Sequence, residues 1–227
     1  MERWSEQRLA LGRARGDAWV IALALVGLAV AAESQDDLER ARTLFGEAAE
    51  VARDCGETRT LGMAVSGVGR LAIADGDAET ARVYFQQALE LHRELSDPHA
   101  EAESLGSLGW LTFLEGDIDQ AAGLFGDSLR LASSLGAREQ ILICLVNLAD
   151  VAAQRGQPVR AARLLGAADA LRTEMGFRPA DLSEQDQRTR IADLLDENDP
   201  AQVAAQSEGS SMNLDDAVEH ALSLASF

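Results

Sequence analysis

Two stretches and a few scattered residues offer side chains of the kinds that do chemistry. His92 and His99 bracket Glu94 and Asp97, residue types able to ligate a metal. The two histidines straddle a helix boundary, however, and lack the i, i+4 spacing that would set both on one helix face. They predict solvated surface, not a metal centre. The run GMAVSGVGR holds Gly62, Gly67 and Gly69 in loose imitation of a dinucleotide loop. No strand precedes it, and Gly69 falls at a repeated small position, so packing is the better expectation. Cys55 and Cys144 have no basic or histidine partner in sequence reach to activate a thiol, and His220 stands alone. Glu103 and Asp150 are the carboxylates that an enzyme site assembled from distant helices would use, with nothing beyond their presence to support it. The sequence therefore predicts no catalytic activity, no metal and no cofactor.

A different kind of chemistry, recognition, is suggested by Val30, Arg70, Trp110 and Asp150. They occupy one register position in successive inner helices, one in each repeat, yet differ from one another while their neighbours agree. Ser66, Phe113 and Val146 fall on the same helical face at spacings of three or four. An exposed arginine and tryptophan are favourable anchors for a peptide or a helix. The candidate partner-binding set is therefore Ser66, Arg70, Trp110, Phe113, Val146 and Asp150. The competing expectation is that these residues are buried between repeats, or that Arg70 simply pairs with Asp150.

The elements that must position this set come from an internal repeat. SQDDLERARTLFGEAAEVARDCG, ADGDAETARVYFQQALELHRELS, LEGDIDQAAGLFGDSLRLASSLG and QRGQPVRAARLLGAADALRTEMG follow one another at an offset of 40 residues without insertion. Ala41, Ala81, Ala121 and Ala161 fall in register, as do Phe45, Phe85, Phe125 and Leu165. A fixed period of this kind marks a stack of helix pairs. Turns are expected at residues 36, 76, 116 and 156, with Asp77 and Asp117 as N-caps and Pro158 in a first turn. The partner helices align through Leu25, Val65, Leu105 and Leu145 and, three residues on, Leu28, Val68, Leu108 and Leu148. Gly126, matched by Gly46 and Gly166, predicts close helix approach, whereas Gly123 has no counterpart and reads as exposed and tolerated. Cys55 shares a slot with Leu95, Leu135 and Met175 and reads as a small core residue.

Composition agrees and narrows function. The chain is 47% hydrophobic but only 4% aromatic, so Ala, Leu and Val must fill its core, as in an all-helical protein. A net charge of −18 argues against gripping nucleic acid or an anionic membrane. All basic residues are arginine, which removes Walker-type phosphate loops and Schiff-base chemistry from consideration. The apolar run 18–32 is too short to span a bilayer and falls in the repeat register, so it reads as a buried helix and not as a signal peptide. Cytoplasmic residence is expected, with an exported helical-repeat scaffold as the alternative.

The pattern Leu105, Leu108, Gly109, Ala121, Phe125, Ser128 resembles the tetratricopeptide repeat signature, and so does Val65, Val68, Gly69, Ala81, Phe85, Ala88. The resemblance implies an all-α, right-handed α-α superhelix, here with longer helices than the usual 34-residue unit, whose inner helices line a concave groove. The segment ARLLGAADALRTEMG, followed by Glu208, Gly209 and LDDAVEHAL, resembles the end of the repeat region in large bacterial LuxR-type and AfsR-like ATPase regulators. That implies a sensing or docking module whose partner is a protein or peptide, other domains of the same regulator among them, with homo-oligomerisation left open. The expected organisation is a repeat region at 1–176, opening with a partial repeat at 1–16, and capping helices at 177–227. The chain reads as beginning mid-repeat, as a fragment or truncated product would. In the cap, FRPADL reads as a connector and Ser183 with Asp186 as a capping box for a helix to about Asn198. A short helix from Asp199 follows, then SEGSSM as a loop, then a last helix from Leu214.

Overall fold

A computed structural model describes residues 2–176, 182–196 and 198–225, apart from the side chains of 182–186. Residues 177–181 of the FRPADL connector and the side chains of Ser183 and Asp186 lie outside the described residues, while the backbone is already helical from Leu182. Twelve helices are present among the described residues: α1 (Glu2–Arg15), α2 (Ala18–Glu33), α3 (Leu38–Cys55), α4 (Thr58–Ala74), α5 (Ala78–Glu94), α6 (Pro98–Leu114), α7 (Ile118–Leu135), α8 (Arg138–Gln154), α9 (Pro158–Met175), α10 (Leu182–Asp193), α11 (Pro200–Ser211) and α12 (Leu214–Ala225). The fold is all-α, a helical repeat.

Local sequence sets each boundary. Asp37, Asp77 and Asp117 accept hydrogen bonds from the backbone N–H groups of Arg40, Thr80 and Gln120, the N-cap bond that stabilises a helix start by about 1 kcal/mol. Pro158 opens α9 in a position where its missing N–H costs nothing. The turns at 36, 76, 116 and 156 all have positive φ, supplied by glycine in three repeats and by Asp36 in the first. The helices from α2 to α9 run to 16–18 residues. That length accounts for a period longer than the usual unit.

The chain divides into two compact units, Met1–Ser107 and Leu108–Phe227. In the first, α1 packs on α2, α2 on α3, α3 on α4 and α4 on α5, with α2 also touching α4. Its core is built around Leu25, Phe45, Val65 and Leu71. The glycines of GMAVSGVGR are packing devices: Gly67 lies under the Phe45 ring, Gly69 under the Phe85 ring, and Gly62 against His92. Cys55 is exposed, which corrects its expected core role. The slot it shares with Leu95 and Leu135 is a surface slot, since both leucines are also exposed.

In the second unit α8 packs between α7 and α9, α11 lies along α9, and α12 reaches α7, α8 and α9. Phe125, Leu129, Leu145, Leu148 and Leu164 form its centre, joined by Ile191 from α10 and by Val218, Ala221 and Leu224 from α12. α10 ends at Asp193, short of the expected Asn198, and SEGSS belongs to α11 instead of forming a loop. The reason is close backbone contact. A methyl group on Gly209 would sit 1.9 Å from the Arg163 carbonyl oxygen, and one on Gly166 would sit 2.1 Å from that of Gln206. Residues that read as loop-forming are the small residues a tight helix crossing needs. Gly126 likewise meets Ala225 of α12, but nothing approaches Gly46, so the expected close approach holds at two of its three positions.

Gly123 also faces open space. Gly123→Ala therefore gains helix propensity without a clash. We expect about 1 kcal/mol of added stability, read as an upward shift of the urea midpoint with unchanged slope.

Candidate functional site

In the first unit, Ser66 is half-buried on α4 and Arg70 is exposed near the end of that helix. Arg70 donates from Nε and Nη2 to the two carboxylate oxygens of Glu33, at 2.9 and 2.8 Å, and its guanidinium lies 5.7 Å from the centre of the Phe45 ring. Its carboxylate partner is thus Glu33 and not Asp150.

The second unit collects the other four residues. Trp110 and Phe113 stack with centroids 5.5 Å apart and planes 9° from parallel. Trp110 is partly buried, while Phe113, Val146 and Asp150 are buried. The cover over Asp150 and Trp110 comes from α10. Arg190 donates to Asp150 Oδ2 at 3.2 Å and holds its guanidinium 5.3 Å from the Trp110 ring centre, within cation–π range. Gln187 donates from Nε2 to Asn147 Oδ1 at 2.9 Å and reaches Asp150 Oδ2 at 3.5 Å. Arg188 pairs with Asp169 of α9. Ile191, one position beyond Arg190, is fully buried.

Burial pushes the Asp150 carboxyl above its ordinary value, and its hydrogen bond and charge pairing with Arg190 work against that. Its Oδ1 is buried with no hydrogen-bond partner among the described residues. The side chains of Gln187 and Gln154 also act to lower the carboxyl pKa, Gln154 one turn further along the same helix. Asn147, Gln187 and Arg190 were missed by sequence reasoning. The available signal was a matched pair of polar steps, Asn147 with Asp150 on α8 and Gln187 with Arg190 on α10, each three residues apart.

Cys144 is buried, its thiol pushed up to about 11 by desolvation, and it lies 3.3 Å from Ser128 Oγ. A thiol so placed stays protonated at neutral pH. Glu103 is exposed and lies 3.3 Å from His99. No group of three metal-ligating side chains occurs among the described residues.

His92 is buried, correcting the expectation that it is solvated. Its Nδ1 lies 2.8 Å from Ser104 Oγ, and its Nε2 has no partner among the described residues. The nearby charges are Asp97, itself paired with Arg59 at 2.8 Å. Desolvation lowers the His92 pKa despite the opposing pull of Asp97. The unfolded chain therefore binds a proton at this residue more readily than the folded one does. Stability from this source is present above about pH 6.5, the ordinary histidine value, and is lost as pH falls below it. We expect the urea midpoint to drop between pH 7.5 and pH 5.5, and His92→Gln to flatten that drop. An unchanged slope against pH in the variant would remove His92 as its source.

Repeated helix pairs, aromatic rings seated over glycines, and a small–aromatic–small pattern in register are now all in place. Residues 59–134 match the tetratricopeptide repeat family. The tetratricopeptide stretch takes in α4, α5, α6 and most of α7. No curated protein matches the chain. Tetratricopeptide repeats generally mediate protein–protein interaction, and the fold is typically a non-catalytic scaffold. No helix among the described residues is long and apolar enough to cross a membrane.

Proposed function

We propose that this chain is a non-catalytic, cytoplasmic docking module of a bacterial transcriptional regulator of the LuxR-type or AfsR-like class, binding a protein or peptide partner through its inner helices. Residues 1–176 supply the docking repeats, and 177–227 act as the capping segment. The binding set is Ser66 and Arg70 in the first unit, with Trp110, Phe113, Val146 and Asp150 in the second.

The observation that carries the reading is the gathering of an aromatic pair, Trp110 and Phe113, beside a buried carboxylate, Asp150. Aromatic anchors next to a buried carboxylate are the composition of an energetic hot spot. The regulator context rests on the resemblance of 162–176 and 214–222 to the close of such repeat regions.

Two experiments test this. Capture of partners by the tagged chain from its own cells should give one protein whose recovery falls with Arg70→Ala or Trp110→Ala; recovery unchanged by both removes these residues from the site. Sequencing the gene upstream of the Met1 codon should reveal an in-frame ATPase-coding region, and an ordinary promoter there counts against the regulator context.

A further inference from the structure

The docking face in the second unit is already covered by a helix. α10 seats Gln187 on Asn147, Arg190 on Asp150 and Trp110, Arg188 on Asp169, and Ile191 in the core. These are the contacts a docked partner helix would make: one apolar anchor, one cation over an aromatic ring, and charge pairs to two carboxylates. We infer that α10 is an internal occupant of the partner-binding face of α8, displaced by a helix from the partner that presents glutamine, arginine and an aliphatic residue at i, i+3 and i+4. The inference rests on the docking function proposed above.

Three features support displacement over permanent burial. The grip of α10 is largely polar, and its Arg188–Asp169 pair is partly exposed on both sides, at 25% and 39%, whereas in the Arg190–Asp150 pair only the arginine is accessible. A pair exposed on both sides is screened by solvent and contributes little. Next, α11 and α12 are held by their own contacts with α9 and α7, so α10 can leave without releasing them. Finally, Arg190 engages only one oxygen of Asp150. A partner arginine that approaches the carboxylate in bidentate fashion satisfies both oxygens, and such forked pairs are stronger than single ones. That advantage opposes the high effective concentration of a tethered competitor. Charge favours the same class of partner, because an arginine-bearing helix complements Asp150 and Asp169 on a chain of net charge −18.

The test uses the full chain and a labelled synthetic peptide of residues 182–196, followed by fluorescence anisotropy. Gln187→Ala/Arg190→Ala in the full chain loosens the resident helix, so the peptide is expected to bind that variant at least tenfold more tightly than wild type. A peptide carrying Arg190→Ala is expected to lose at least tenfold on the same variant. Equal affinity for wild type and variant overturns the inference, and so does a peptide indifferent to its arginine.

Because the double variant could unfold, wild type is also tested directly by hydrogen exchange with excess peptide. Faster exchange in the α10 amides, with α8 and α9 unchanged, is the expected result; no change overturns internal occupancy. If exchange is unchanged while partner capture still depends on Arg70 or Trp110, the docking function stands and only displacement falls. If capture is indifferent to both residues, the docking function falls first.

Discussion

Phe125→Ala is expected to lower the unfolding free energy by about 3–5 kcal/mol, the usual loss for a fully buried aromatic side chain. Phe125 is wholly inaccessible, and its ring lies where a methyl group on Gly109 would be, 2.7 Å from the nearest ring carbons. The mechanism is more specific than lost area, because ring and glycine are a matched pair. The fourth repeat shows the alternative solution at the same register, Ala149 with Leu165. Gly109→Ala alone should therefore cost about 1–3 kcal/mol by overpacking, and Phe125→Leu alone should leave a void. Together they should cost less than the sum of the singles, with a coupling of about 0.5–3 kcal/mol. Urea denaturation of the four proteins measures this cycle. Additive losses would mean that the two positions do not share space.

The second large effect is expected at the crossing of α9 and α11. At Gly209 a methyl group would meet the backbone carbonyl of Arg163 at 1.9 Å, and a carbonyl within a helix cannot rotate away as a side chain can. Ser210 adds a hydrogen bond to the Gly166 carbonyl oxygen at 3.3 Å, which holds the two backbones in register. Gly209→Ala is expected to cost about 3 kcal/mol, at the upper end of overpacking, even though the same exchange at Gly123 should stabilise. Hydrogen exchange locates the damage: α11 should lose protection. A neutral substitution with α11 still protected would show that the crossing can spread at little cost.

The repeat was legible because it is written in residues that a helix pair cannot do without. Ala at the crossing points and Gly or Asp at the turns recur every 40 residues, and the two middle repeats add a glycine opposite an aromatic residue. They map onto real turns, caps and contacts. The cap was less legible because its signals are ambiguous. Gly209 with its serine neighbours carries the composition of a loop, and only the facing Gly166 reveals it as half of a crossing; the two positions are distant in sequence. Gly46 shows the converse error, since register alone implied a neighbour that is not there.

The candidate site was legible in its residues and not in its pairings. Divergence at one register position singled out Arg70, Trp110 and Asp150, but their partners, Glu33 and Arg190, come from helices whose relation to that position periodicity does not encode. His92 was misjudged for a similar reason. Its place near a helix boundary, without a second histidine at i, i+4, suggested solvent, whereas Gly62 opens a space in α4 that admits the ring.

One consequence of α12 concerns how the protein comes apart. In the first unit contacts run mostly between helices adjacent in sequence, with α2 also touching α4 and the ion pairs Arg13–Glu47 and Arg40–Glu2 tying α1 to α3, so loss of order can creep inward in small steps. In the second unit α12 returns to α7, the helix that α8 and α9 follow, so the contacts form a closed circuit. Opening any member of that circuit breaks interfaces on both sides of it. Melting there is therefore expected to be concerted, and its assembly must wait for α12 to be made, which ties the order of synthesis to the order of folding.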